Sequence, residues 1–309
     1  MYSDKILITG ASGVIGQALL QELAKAGYSN VVAPSSKDAD LRDEAQANAL
    51  LEEVRPAVVY HLAARVYGIM GNMQNKAQAF LENTRINTNL IEASQRVGVK
   101  KIVAMGSSAI YSDSVTLPMS EDQVWCGPPH HSEAPYAHSK RAMLAQLEAY
   151  RDQYGMEFAF CISTNLYGPH DKFDEKWGHV IPSLISKFHK AIQQGESVPV
   201  WGTGSARRDF LFNEDAARAM RLIGEQAVGA INLATGTSQT IRETVECIKK
   251  VSGFTGDIVW DSSKPDGQHL RDYDISKLQE VGFKPEYSLE AGLAKTYHWF
   301  KENPGQVRR

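Results

Sequence analysis

Cysteine is scarce in this 309-residue chain: Cys126, Cys161 and Cys247 stand apart, without the spacing of a metal ligand set or a redox pair. That scarcity argues against a disulfide framework and fits a reducing compartment. Long hydrophobic runs are missing as well. No segment reaches the length of a membrane span, and Met1-Tyr2-Ser3-Asp4-Lys5 leads into the first apolar stretch without a signal-peptide core, so a cytoplasmic protein is expected. Nor is there an excess of one charge. A formal net charge of −3 leaves no basic face to hold nucleic acid by its phosphates, so the anions this chain binds must be held locally. The adjacent His130-His131 have no further ligands at metal spacing and lie in a loop with Pro118, Gly127, Pro128 and Pro129, which reads as solvated. Internal repeats and low-complexity tracts are absent too. What is present is 43% hydrophobic sequence, enough for a substantial core and about two domains.

The first informative pattern is a glycine turn. Lys5 to Thr9 reads as a short buried strand, and Val14 to Ala26 as a helix with Val14, Ile15, Ala18, Leu19, Leu20, Leu23 and Ala24 at helical spacing. Gly10, Gly13 and Gly16 therefore sit where a strand turns into a helix. There a pyrophosphate can approach the backbone and meet the free N–H groups of the helix N-terminus. The spacing is Gly-x-x-Gly-x-x-Gly, so its flanks carry the dinucleotide reading. Further on, strands at 31–33, 57–62 and 101–105 alternate with helices at 44–54, about 80–97 and about 137–154, followed by an apolar run at 158–162. Such alternation predicts an α/β fold with a Rossmann-type, doubly wound parallel sheet. Beyond it, glycine and proline punctuate the chain, which suggests a smaller mixed α/β C-terminal substrate domain. The expected division is 1–162 for dinucleotide binding, with 207–228 packing back onto it, and 163–206 with 229–309 for the substrate.

The strand 101–105 runs into Gly106-Ser107-Ser108-Ala109-Ile110-Tyr111, which places Ser107 or Ser108 at the crevice beyond the strand ends. Tyr136 and Lys140 lie one helical turn apart and so share a face. Free tyrosine has a pKa of about 10, and a nearby ammonium is expected to lower it into a useful range. A serine hydroxyl holding a carbonyl oxygen completes a reductive set with a nicotinamide as hydride donor. The strand expected at 31–33 leads into Ser35-Ser36-Lys37, hydroxyls and an amine where an NAD-preferring site places a carboxylate, so NADP is the favoured cofactor.

In that order, Gly10-x-x-Gly13-x-x-Gly16, Ser107 and Tyr136-x-x-x-Lys140 resemble the extended short-chain dehydrogenase/reductases acting on nucleotide sugars, and within them the GDP-L-fucose synthase group. The likeness spans nearly the whole chain and is densest in 164–171, 179–182, 200–204, 264–267 and 288–294. It implies Ser107, Tyr136 and Lys140 as the reductive trio and NADPH as the cofactor. For cofactor binding it implies Gly10, Ser12, Gly13, Val14, Ile15 and Gly16, then Ser35, Ser36, Lys37, Asp40 and Leu41. The same role falls to Leu62, Ala63, Ala64, Ser163, Asn165, Leu166 and His179, beside Tyr136 and Lys140. For a GDP-linked 4-keto-6-deoxy sugar it implies Ser107, Ser108, Ala109, Asn165, Val180, Lys187, Trp201, Arg208 and Asp266. An arginine suits a diphosphate, and a tryptophan can pack on a base or a sugar. A homodimer through the helices around 80–97 and 137–154 is also implied.

Ser12 and Ser36 stand where the group often carries arginines, and the most consequential departure is at a third position. The group's pattern there is Gly-Ser-Ser-Cys-Ile-Tyr, in which the cysteine is the base for proton exchange at C3 and C5 and a histidine, matched by His179, is the opposing acid. Here the cysteine is Ala109, whose methyl can neither take nor give a proton. The leading expectation is a 4-keto reductase, for a hexose or a heptose, with the epimerase step lost or weakened. Cys126 is the one other cysteine in this half of the chain that could approach the site. A bifunctional 3,5-epimerase/4-reductase stays open as an alternative, as does a catalytically silent NADP-sensing protein. A 4,6-dehydratase wants an acidic residue beside the serine, and Ser108-Ala109 offers none.

Overall fold

The computed structural model describes residues 4–66, 68–175, 177–264 and 270–308, with 68–70 described as backbone only. Strand β1 (Ile6–Thr9) is buried along its whole length, as a strand covered on both faces by helices must be. It turns at Gly10 into α1 (Val14–Lys25). Next come β2 (Val31–Val32), α2 (Glu44–Val54), whose N-cap Asp43 accepts from Gln46 N–H, and β3 (Val58–His61). A short α3 (Gly68–Gln74), which periodicity had not suggested, precedes α4 (Lys76–Arg96), so the helical region begins well before Phe80. Strand β4 (Lys101–Met105), α5 (Ala134–Tyr154) and β5 (Glu157–Ser163) complete the first half. Pro135 lies in the first turn of α5, where its missing N–H costs nothing, and Gly155 closes the helix in the left-handed conformation.

The second half contains β6 (Asn165–Tyr167), α6 (Val180–Gln194), β7 (Val198–Trp201), β8 (Arg207–Arg208), β9 (Phe210–Phe212) and α7 (Asn213–Gln226). It continues with β10 (Gly229–Leu233), β11 (Gln239–Thr240), α8 (Ile241–Ser252), β12 (Ile258–Asp261), α9 (Ser276–Glu280) and α10 (Leu289–Glu302).

The central sheet has six strands in the order β10-β5-β4-β3-β1-β2, all parallel. The expected division of the chain needs one correction: residues 229–233, assigned to the substrate part, pair with β5 as the edge strand of this sheet. Gly229-Ala230-Ile231-Asn232-Leu233 is short and carries a polar residue, so its edge position is visible only through its partner. Alternate residues of β1 serve different cores. Leu7 joins Val59, Ile102 and Phe158 under α2, α4 and α5, whereas Ile6 and Ile8 join Tyr60, Val103 and Ala159 under α1 and α7. A third cluster gathers Ile185, Phe188, Val198, Ile248, Leu293 and Tyr297. Because the chain leaves β1 for β2 on one side and returns to β3 on the other, the strand order reverses there. The crevice at those carboxyl ends is where a doubly wound sheet binds its ligand.

Candidate active site

At that crevice Gly10 has φ +74°, and a Cβ there would lie 2.7 Å from the Ala63 nitrogen. Gly16 is equally constrained, since a Cβ would come within 2.5 Å of the Ala11 Cα and the Gly10 carbonyl oxygen. Gly10 thus lets the turn close on Leu62 and Ala63, and Gly16 lets α1 close on the turn at Gly10 and Ala11. Gly13 differs: a Cβ there would meet only the Gly10 carbonyl oxygen, at 3.3 Å. The N-terminus of α1 has no side-chain cap and no acidic residue in its first turn. The Gly13 N–H turns back on the Gly10 carbonyl at 3.1 Å; an open approach and the uncapped N–H groups at the start of α1 fit a pyrophosphate.

A carboxylate is present just past Ser35-Ser36-Lys37: Asp38 accepts from Ser35 N–H at 2.8 Å and Ser35 Oγ at 2.7 Å. Those hydrogen bonds, with the Lys37 charge, hold its pKa below the usual carboxylate value. The Ser35 hydroxyl is therefore engaged in the turn; Ser35 to Asp38 are all exposed, and no hydrogen bond among the described residues engages the Ser36 hydroxyl or the Lys37 ammonium. The Asp40 carboxylate accepts from Arg42 at 2.7 Å, Arg42 reaches Glu82, and Glu82 holds Arg65, so this rim is an ion-paired chain. Leu41 is buried behind it.

The two serines at the end of β4 have different partners. Ser107 caps the turn of residues 108–110, accepting from Ala109 N–H at 3.2 Å, and its hydroxyl also interacts with the Tyr136 phenol. Ser108 faces Arg271, which donates to its carbonyl oxygen at 3.1 Å and its hydroxyl at 3.3 Å. Tyr136 and Lys140 are both buried. The Lys140 ammonium donates to the Met105 carbonyl at 2.9 Å and stands 5.9 Å from the centre of the Tyr136 ring.

The expected electrostatics are reversed in sign. Burial raises the phenol above its ordinary value, the Glu133 charge adds to this, and Ser107 opposes it. The ammonium is directed at a main-chain carbonyl instead of the phenol oxygen, and burial pulls its own pKa down to about 8. Tyr136 is thus protonated near neutrality, the form that can donate to a developing alkoxide.

Ala109 is buried in a small cluster with Ala79, Tyr136 and Ala137. The Ala109 methyl therefore lies in the same buried cluster as the phenol ring. Cys126 is exposed, and its neighbour Gly127 offers its carbonyl to Arg141; it is not part of that cluster.

The remaining candidates are distributed unevenly. Ser163 Oγ, at the end of β5, donates to the Gly106 carbonyl, and Asn165 Nδ2 to the Asp209 carbonyl, with Leu166 next to Asn165 on β6. Lys187 and Trp201 do come together: the Lys187 ammonium lies 5.9 Å from the centre of the Trp201 indole, which is 56% exposed, and Lys264 lies 6.0 Å from it. His179 is the exposed N-cap of α6 and Val180 the first residue of that helix. No hydrogen bond among the described residues links His179 to the trio. Asp266 lies outside the described residues.

Sequence reading missed Arg271 and Tyr273. Arg208 and Arg271 are neighbours because Leu270 bridges Arg207. Burial, then the charge of Arg271, pulls the Arg208 pKa down. The buried Tyr273 hydroxyl has no hydrogen-bond partner among the described residues. No local motif marks this segment; its long-range bridges to Arg207 and Met119 bring it beside the turn at Ser108.

The sequence pattern of the NAD dependent epimerase/dehydratase family matches residues 6–234. A probable GDP-L-fucose synthase 1 of Oryza sativa subsp. japonica is 38% identical over 303 residues, covering 97% of this chain and 92% of its own. A GDP-L-fucose synthetase from Naegleria fowleri solved with NADP superposes with a TM-score of 0.92 at 33% identity, over 99% of this chain and 96% of its own. A GDP-mannoheptose C4 reductase from Campylobacter jejuni, also with NADP bound, gives a TM-score of 0.88 at 30% identity, over 97% and 99%.

Proposed function

The chain belongs to the NAD dependent epimerase/dehydratase family, and from that premise we propose that it is an NADPH-dependent 4-keto reductase of a GDP-linked 4-keto-6-deoxy sugar, hexose or heptose, with the epimerase step lost or weakened. The observation that carries the proposal is the Ala109 methyl packed on Tyr136 beside an intact Ser107, Tyr136 and Lys140. The reductive half of the site has its proton donor. The position of the exchange base holds a group without a titratable proton.

Bound NADPH supplies the hydride. The glycine turn and the N-terminus of α1 would hold its pyrophosphate, with Ser36 and Lys37 at the adenosine end. Ser107 donates a hydrogen bond to the sugar's carbonyl oxygen and Tyr136 delivers its proton there as the oxygen gains charge. Lys140 places a buried positive charge behind that oxygen, where low polarity makes it effective. Arg208 suits the diphosphate by charge and geometry. The exposed Trp201 face, with Lys187 and Lys264 over it, offers a stacking surface for the base.

The relatives named as fucose synthases favour a second reading, in which a bifunctional epimerase/reductase uses another group in place of the thiol. One experiment separates the two. GDP-4-keto-6-deoxymannose and NADPH are supplied in D2O and the product is examined by NMR. NADPH oxidation without deuterium at C3 and C5 is expected. A fucose-configured product carrying deuterium at both carbons refutes the reductase-only proposal.

A further inference from the structure

We propose that Arg271 is a positioning residue that couples occupancy of the nucleotide end of the substrate to the catalytic turn. Its guanidinium grips Ser108 from a segment lying beside Arg208, so an anionic diphosphate drawn to Arg208 steadies Ser107 for carbonyl reduction. This rests on the sugar-nucleotide reading above.

Arg271 is buried, and its Nη1 donates to both the carbonyl and hydroxyl oxygens of Ser108. Ser108 follows directly on Ser107, whose hydroxyl meets both Ala109 N–H and the Tyr136 phenol. Moving the Ser108 peptide therefore moves the hydroxyl that is to hold the carbonyl oxygen. The strip bearing Arg271 is anchored on both sides. Leu270 bridges Arg207, while Asp272 accepts from Met119 N–H at 2.8 Å and Asp274 N–H donates to the Met119 carbonyl at 2.9 Å.

Arg208 is held just as firmly from its own side. The adjoining Asp209 carboxylate accepts from Thr235 and Gly236 N–H groups, and the Asp209 carbonyl accepts from Thr164 and Asn165. Arg208 and Arg271 thus follow directly on the bridged pair Arg207 and Leu270, close enough for their charges to repel. A diphosphate beside them relieves that repulsion and tightens the strip that Arg271 uses to hold Ser108. Binding energy from the non-reacting end of the substrate is in this way realised at the reacting carbon.

The test divides the substrate into two pieces. A 4-keto-6-deoxyhexose without its nucleotide is reduced by the full-length enzyme and NADPH, with and without saturating GDP. For the wild type, GDP is expected to raise kcat/KM for the sugar piece about tenfold or more. In R271A, folded by circular dichroism, that activation falls below about twofold while calorimetry still detects GDP binding. R271K, whose ammonium can still reach a Ser108 oxygen, retains an intermediate activation. With the intact substrate, R271A lowers kcat and leaves KM for NADPH unchanged. Equal activation in R271A and wild type overturns the coupling, as does a wild type that reduces the sugar piece indifferently to GDP. A wild type that oxidises no NADPH with the intact GDP-4-keto sugar overturns the underlying reading, and the coupling with it.

Discussion

At the scale of single residues, the site combines two buried groups whose proton affinities have moved in opposite directions. Burial keeps Tyr136 protonated well beyond neutrality and brings Lys140 down to about 8. The reduction rate is therefore expected to fall as pH rises through about 8, because the ammonium loses its proton before the phenol does. K140M should lower kcat about a hundredfold and remove that alkaline limb, as measured by stopped-flow NADPH oxidation between pH 6 and 10. The linkage has a definite sign. Between about 8 and the lysine's ordinary 10.5 the unfolded chain binds the proton that the folded chain has released, so this group's contribution to stability rises with pH across that window. Ala109 gives the second prediction at this scale. A109C puts a thiol against Tyr136 and is expected to introduce deuterium at C3 or C5 of the product, read by the same NMR assay. A variant that reduces normally and exchanges nothing counts against assigning the lost base to this position.

Among the elements, the junction of β1 and α1 is the most exacting. Gly10 and Gly16 are packed so closely on Ala63 and Ala11 that a single methyl has nowhere to go. G16A is expected to push α1 off the turn, destabilise the fold by about 1–3 kcal/mol and weaken NADPH binding, since the first-turn N–H groups lose their aim. Thermal unfolding and fluorescence titration of NADPH read the two effects separately. A variant with unchanged cofactor affinity would show that the turn is not where the pyrophosphate sits. Asp43, Thr240 and Ser288 cap α2, α8 and α10 with their side chains, whereas α1, like α4, α5, α6, α7 and α9, has no side-chain cap.

Over the whole molecule, α4 and α5 carry apolar groups outward. Phe80 and Leu81 are exposed near the start of α4, as is Tyr154 at the end of α5. Exposed apolar groups on two adjacent helices fit a second copy of this chain, the homodimer that the sequence likeness implies. Sedimentation velocity is expected to find a dimer, and replacing Phe80 and Leu81 with glutamate to shift it toward the monomer while NADPH binding persists. A wild type that sediments as a monomer at micromolar concentration rules the dimer out.

Much of this was legible along the chain, because the signals are local. The Lys5–Thr9 run, the three glycines and the apolar spacing after Val14 specify a strand, a tight turn and a helix from neighbouring residues alone. The spacing of Tyr136 and Lys140 likewise follows from one turn of helix, and Ala109 is a matter of residue identity. The rest depended on contacts between distant segments. The place of Gly229–Leu233 in the central sheet is set by its pairing with β5, and the arrival of Arg271 at Ser108 by a bridge to Arg207. The raised phenol of Tyr136 is the clearest case. Sequence places a lysine one turn away and suggests a lowered pKa, but desolvation depends on everything packed around a group, and here burial raises the phenol, the Glu133 charge adds to it and Ser107 opposes it. The sequence by itself determined which groups this chain can bring to a carbonyl. Only the tertiary structure decided which of them meet and in what protonation state, because proximity and burial are properties of the packed molecule.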